Sequence, residues 1–462
     1  LAFLVFLFAS SHLQAEQTNS GKVPVWFEQN VPTTAALEFR QLLDDLGGYD
    51  FLEANESSYQ RAFEALVSQS PSSSALMAQW HTIQPQSDNT RAEFIADLPP
   101  AFPQVSRLRI AIRQLKANYK PGLGISPFQT PRLGGRHPNI AKISQRLLDT
   151  GFMDSRYRPT NRLDSYDPVF IRALKAFQAH HGLEADGVVG AKTIKLLNRS
   201  NLQERLTLQA NLRRWMRLPH QPSSTYLEVN IANFDVRLVH NGKTILRNRA
   251  IVGTPNRQTP IFSSQVRSVT INPMWRPTNR IIWEELVPSH RKNSSALTQQ
   301  GFALLSSTST NPIAIDKSDP SFAQLKQGMR LVQLPGKQNA LGKVRFNFHN
   351  THSVYLHDTP QKHLFNKNER ALSHGCVRVQ DTQELVAAIE RIGKLDRSRD
   401  WRQLWRSDAL TSVKLTDPIN IHLTYQTGWI DEFGQVQIRD DIYHLDSPQI
   451  GATDSSFVKR AN

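Results

Sequence analysis

Apolar residues recur at helical spacing up to about residue 219 and at alternating positions from Tyr226 onward, and this change of period restricts the fold more than any other feature. Before it, "TTAALEFRQLLDDLGGYDF" sets Leu37, Phe39, Leu42, Leu43 and Leu46 near one helical face, with Gly47-Gly48 as the stop. Further helices are expected around 57–68, 74–83 and 105–118. After it, "YLEVNIANFDVRLVHNGKTILRNRAIVG" alternates through Leu227, Val229 and Ile231, then Phe234, Val236 and Leu238, with Asn241-Gly242 as a hairpin turn. The expected class is α+β and multidomain, helical first and then β-rich, sandwich-like and antiparallel. A chain of 462 residues also exceeds the ~250–300 residues that one core usually serves.

Punctuation residues divide the chain further. Residues 30–130 read as a helical scaffold, and the Pro- and Gly-rich stretch 120–138 reads as a linker. Residues 137–198 read as a compact three-helix unit. His137-Pro138 opens a helix carrying Ile140, Ile143, Leu147 and Leu148, and Asp167-Pro168 caps a second with Phe170, Ile171, Leu174 and Phe177. Gly182 stops that helix, Asp186-Gly187 makes a turn, and a short third helix bears Ile194 and Leu197. A connecting helix is expected at 201–219, with Arg213, Arg214 and Arg217 at its C-terminal end, where cations are favourable. The β-rich domain spans 225–425, interrupted at about 274–343 by helical and loop segments, including "IIWEELVPSHR" and "DPSFAQLKQGMRLVQLPG". Short strands resume at 344–348 and 354–356, a helix follows at 381–393, and 426–462 is a C-terminal extension with a mobile tail.

The sequence does not begin with Met, and the apolar run Leu1 to Ala9 has the length of a signal-peptide core, far below the ~20 residues of a membrane span. Residues 1–15 are expected to be a signal peptide cleaved after Ala15, or an anchor if uncleaved, which places the protein in the periplasm. Fifty-five Lys and Arg against forty Asp and Glu give a net charge of +15, which suits polyanionic partners. Nucleic acid is the weakest of these, because the basic residues are dispersed, no reading motif accompanies them, and export removes the target.

An exported chain with one cysteine can form no internal disulfide, so Cys376 is either buried filler or a nucleophile. A nucleophilic thiol needs a base or a positive environment. His357 ends the segment "SVYLHD" 19 residues upstream, and a strand end can be brought against a returning loop. His374, two residues from Cys376, is read as shaping the loop or substrate site. Gly375 lets the backbone approach a reacting carbonyl, with the Gly375 and Cys376 N–H groups as an oxyanion hole. Arg378 suits a substrate carboxylate or a lowered thiol pKa. Zinc chemistry is the rival, because His349, His352, His357, His363 and His374 lie close in sequence, but no helical His-Glu-x-x-His motif accompanies them. No phosphate-binding or dinucleotide fingerprint occurs, and neither cofactor nor metal is expected.

His357-Asp358 followed by Ser373-His374-Gly375-Cys376-Val377-Arg378 resembles the signature of the L,D-transpeptidase catalytic domain, and "VGTPNRQTPIF" and "INPMWRPT" resemble its preceding strands. Shorter members tend to have Gly where Ile261 follows Thr259-Pro260. Ala176-Phe177-Gln178, Gly182-Leu183, Asp186-Gly187, Gly190 and Thr193 resemble the peptidoglycan-binding-domain signature. The combination resembles the large periplasmic branch of Gram-negative bacteria. The resemblance implies that Cys376 attacks a stem-peptide carbonyl, releasing D-Ala and forming a thioester that another stem's amine resolves into a 3→3 cross-link. It implies His357 as base, held by the Asp358 carbonyl, with His374 and Gly375 counted in the catalytic set. Arg378, Ser373, Asp358, Tyr355, Trp275 and Trp283 are counted as substrate-binding, and Trp275, Arg276, Trp283 and Glu284 as a lid. Peptidoglycan stems and glycan are the implied partners, with other wall-synthesis proteins beside them, and the protein is expected to be a monomer. Water or a protein amine as acceptor would make the same site a carboxypeptidase or an anchoring enzyme. A catalytically dead wall-binding protein is the non-enzymatic alternative.

Overall fold

The computed structural model describes residues 25–48, 53–117, 120–157, 162–306, 311–315, 325 and 328–446. The expected signal peptide, most of the segment 316–327 and the C-terminal tail lie outside these residues. The chain divides into two compact units, one of residues up to Pro222 together with those from Gln426, the other Ser223–Tyr425. Among the described residues no helix is long and apolar enough to cross a membrane.

In the first unit, helices α1 (Thr34–Asp45), α2 (Glu56–Val67), α3 (Ser73–Ile83) and α4 (Asp88–Ala96) surround an aromatic core in which Trp26 stacks on Trp80 at 5.4 Å beside Phe39, Tyr59 and Phe63. The sequence reading missed α4, whose apolar residues form no clear stripe. α5 (Pro103–Ala117) follows, and then the three-helix domain of α6 (Pro138–Asp149), α7 (Pro168–His180) and α8 (Ala191–Leu197). It closes on Ile140, Ile143, Leu147, Phe170, Leu174 and Phe177. The Asp167 carboxylate accepts from the Val169 and Phe170 N–H groups at 2.9 Å, capping α7 as its Asp-Pro pair predicts. α9 (Asn201–Trp215) starts with a capping box between Ser200 and Gln203. The short hairpin Gly428–Ile430/Val436–Ile438 packs against it, and Arg214 reaches Asp446 at 2.5 Å, so the basic end of α9 is held by an ion pair as well as by its place on the helix.

The second unit is built on β1 (Thr225–Asn230), β2 (Asp235–His240), β3 (Lys243–Gly253), β4 (Phe262–Ile271), β5 (Val344–Phe348), β6 (Leu356–His357), β7 (Ala371–Ser373), β8 (Val377–Val379) and β9 (Thr411–Thr424). Their order is β7-β3-β8-β6-β5-β4-β9-β1-β2, and β2 also pairs with β3, which closes the sheet on itself. The sheet is mixed rather than purely antiparallel, because β1–β9, β6–β8 and β3–β7 run parallel. Asn241 and Gly242 both have positive φ, 50° and 74°, as the hairpin turn requires. The insertion was expected to be helical. Its described part also contains a two-stranded antiparallel sheet, Phe302–Leu305 with Arg330–Gln333, packed on Ile282, Val287, Leu297 and Ile315. Four-residue segments are too short for periodicity to separate strand from helix.

Candidate active site

β6 lies between β5 and β8, and its register sets His357 opposite Arg345 on one side and Arg378 on the other. Directly opposed residues share a sheet face, so two guanidinium groups flank one imidazole. His357 Nδ1 meets the Asp358 carbonyl oxygen at 2.5 Å. A carbonyl only accepts, so Nδ1 carries the proton and Nε2 keeps its lone pair. The ring is 4% exposed. Burial first, then the charge of Arg378, brings its pKa down to about 3 against the pull of the Asp358 carbonyl.

The cysteine loop spans β7 to β8 and is fixed from three directions. The Val377 N–H donates to the Tyr355 carbonyl at 2.8 Å. The Ser373 hydroxyl donates to the Cys376 carbonyl at 2.6 Å and accepts from the Gly375 N–H at 3.1 Å. The Thr259 hydroxyl donates to the Gly375 carbonyl at 2.8 Å while accepting from the Gly253 N–H at 2.9 Å. Gly375 has φ +113°, a conformation side chains rarely adopt. Burial pushes the Cys376 thiol up, and the Tyr355 N–H and Arg378 only partly offset this. The thiol rests 3.9 Å from the Ser353 carbonyl oxygen. The resting pair is thus neutral thiol and neutral imidazole, so a nucleophilic role for the sulfur would require its proton to move.

Cys376, His357, His374, Arg378, Tyr355 and Trp275 border one cavity of about 500 Å³. The Tyr355 ring lies under the Arg345 guanidinium at 5.0 Å, and Arg378 donates to Gln361 at 2.8 Å. Several expectations need correction. The Gly375 N–H is held by Ser373, which leaves the Cys376 N–H as the loop's available oxyanion donor. Ser373 is 3% exposed and commits its hydroxyl to the loop rather than to substrate. The Asp358 carboxylate accepts from the Lys343 N–H and the Lys362 ammonium and does not line the cavity, so only its carbonyl serves the site. Trp283 is 42% exposed and stands outside the cavity. Glu284 is likewise outside, paired with Arg257 and Arg280, and its neighbour Glu285 faces in. A π-helical turn at Ile282–Leu286 shifts the phase of the helix there.

His374 Nε2 donates to Glu285 at 2.6 Å, which ties the cysteine loop to the insertion. The sequence reading overlooked Glu285, Thr259, Arg257 and Arg345 as functional residues. Thr259 and Arg257 left a signal, their place in the quoted "VGTPNRQTPIF". Among the described residues no group of three His, Cys, Asp or Glu side chains converges as a metal site would require.

Residues 224–413 match the model of the L,D-transpeptidase catalytic domain, and residues 136–197 match that of the "Putative peptidoglycan binding domain". A protein described as "Putative L,D-transpeptidase" from Haemophilus influenzae is 32% identical over 254 residues, 54% of this chain and 49% of that relative. The match thus spans about half the length of the relative. Among solved structures, the L,D-transpeptidase of Xylanimonas cellulosilytica is similar at 17% identity over 65% of this chain and 99% of its own, with a TM-score of 0.20. That of Stackebrandtia nassauensis is similar at 12% identity over 65% and 97%, with a TM-score of 0.24. The thiol, the imidazole and the strands that carry them all fall inside the segment that matches the L,D-transpeptidase catalytic domain, and a separate segment matches the peptidoglycan-binding type.

Proposed function

We propose that this protein is a periplasmic L,D-transpeptidase that forms 3→3 cross-links in peptidoglycan through a thioester on Cys376. The observation that carries this reading is that the chain's single thiol and the His357 imidazole, with Nε2 unprotonated, border the same cavity. In the donor half, Sγ attacks the carbonyl joining the stem's third residue, a diamino acid, to D-Ala. Nε2 takes the thiol proton and delivers it to the departing amine, so the C–N bond breaks and free D-Ala leaves. The Cys376 N–H stabilises the developing oxyanion, and Arg378 pairs with a donor carboxylate. In the acceptor half, the side-chain amine of a second stem displaces sulfur, restoring the thiol and leaving an amide between two third residues. Water in that half would give a carboxypeptidase, and a protein amine would give wall anchoring.

The net charge of +15 suits an anionic wall polymer, and the 136–197 match favours attachment to the same polymer. Substrate of this kind lies outside the cytoplasmic membrane, so the reading requires export. Incubation with a disaccharide-tetrapeptide or a carbapenem, followed by intact-protein mass spectrometry, tests it. The native chain should gain one covalent adduct and release D-Ala from the tetrapeptide, whereas Cys376→Ala should do neither. An adduct on the alanine variant, or none on the native chain, refutes the proposal.

A further inference from the structure

We propose that Glu285 and His374 form a second proton-handling pair, which receives the acceptor amine as an ammonium and deprotonates it for attack on the thioester. The proposal rests on the amine-transfer reading above. Among the described residues, Glu285 supplies the cavity's one carboxylate, while Arg257, Arg276, Arg280 and Arg378 supply four guanidinium groups. An amine near neutral pH arrives protonated. Arg257 and Arg280 are paired with Glu284, Arg276 and Arg378 repel the ammonium, and Glu285 attracts it. His357 is a poor receiver, because Arg345 and Arg378 flank it in register.

The bonding of Glu285 leaves it equipped for the task. Its Oε1 accepts from Arg257 Nη1 at 2.5 Å and from His374 Nε2 at 2.6 Å, and its Oε2 has no hydrogen-bond partner among the described residues. Burial draws this carboxyl upward, but Arg257 and His374 outweigh burial and keep it ionised. A carboxylate accepts only, so Nε2 of His374 carries a proton, and in the neutral imidazole the lone pair lies on Nδ1. Nδ1 has no partner among the described residues, and His374 stands two places before the acylated sulfur. Glu285 thus orients a base and binds the cation that the base must deprotonate. The balance is simple. Of the ammonium's two surplus protons, one passes to Nδ1 and on to solvent, and the other returns through His357 to Sγ as the C–S bond breaks and the amide forms.

The test measures how the thioester of the full chain partitions between an amine and water, read by product mass. Two nucleophiles are compared: a second stem peptide, which arrives as an ammonium, and hydroxylamine, which arrives uncharged. Glu285→Gln should lower the stem-amine-to-water ratio roughly 10–100-fold and raise the acceptor KM, with the hydroxylamine-to-water ratio changed less than about threefold. Glu285→Asp should restore most of the loss. A stem-amine ratio within about threefold of the parent overturns the inference, and so does an equal fall for both nucleophiles, which would mark Glu285 as merely structural. A parental chain that forms no thioester overturns the transfer reading itself, and this inference with it.

Discussion

Ser373→Ala separates a loop clamp from a substrate contact. The serine hydroxyl bridges the Cys376 carbonyl and the Gly375 N–H, and among the described residues no other hydrogen bond replaces either. Its removal orphans one acceptor and one donor at Cys376 and Gly375. An unsatisfied buried group costs about 1–3 kcal/mol. Cys376 is only partly buried, so water can compensate some of this, and about 2 kcal/mol is the expected total. If that energy is lost from the productive loop conformation, acylation slows about 30-fold, since 1.4 kcal/mol is tenfold. The assay is the rate of adduct formation with disaccharide-tetrapeptide across donor concentrations. A clamp lowers the saturating rate and leaves half-saturation within about twofold, and Ser373→Thr, which keeps the hydroxyl, recovers most of the rate. A parental saturating rate combined with weakened half-saturation would refute the reasoning and make Ser373 a substrate contact after all.

Two further outcomes follow from the same geometry. Gly342 has φ +59°, and a Cβ there would stand 2.4 Å from Asp358 Oδ2, beside the residue whose carbonyl holds His357. Gly342→Ala should therefore destabilise the full chain by about 2 kcal/mol or more and slow acylation; an unchanged melting temperature and rate would refute the clash. Burial holds His357 down to about 3 and His422 down to about 4, both below the unfolded value near 6.5. The unfolded chain then binds protons that the folded chain refuses, so this stability is complete above about pH 6.5 and declines as pH falls toward the folded values. Each buried imidazole accounts for about 2 kcal/mol of loss between pH 7 and pH 5. Melting scans should show the decline, and His422→Gln should make it shallower. A melting temperature that stays flat from pH 7 to pH 5 would contradict this.

The sequence by itself determined whatever depends on neighbouring residues. Asp167-Pro168 set the start of α7, Asn241-Gly242 set a turn with two positive φ angles, and the change of period at Tyr226 separated helical from β-rich chain. Local backbone preferences and side-chain spacing are enough for these. The motif around Cys376 also singled out the candidate thiol and the histidine that borders the same cavity, because both residue types are chemically conspicuous. Tertiary structure decided the rest. The parallel pairing of Ile421 with Leu227, the closure of β2 on β3 and the placement of Arg345 beside His357 join residues through register, which no local pattern records. Glu285, not Glu284 or Trp283, borders the cavity, and these residues lie on a π-helical turn whose phase a 3.6-residue period does not describe. Ser373 and Asp358 read as substrate ligands because a sequence shows which polar groups exist, whereas only packing shows which of them are already hydrogen-bonded.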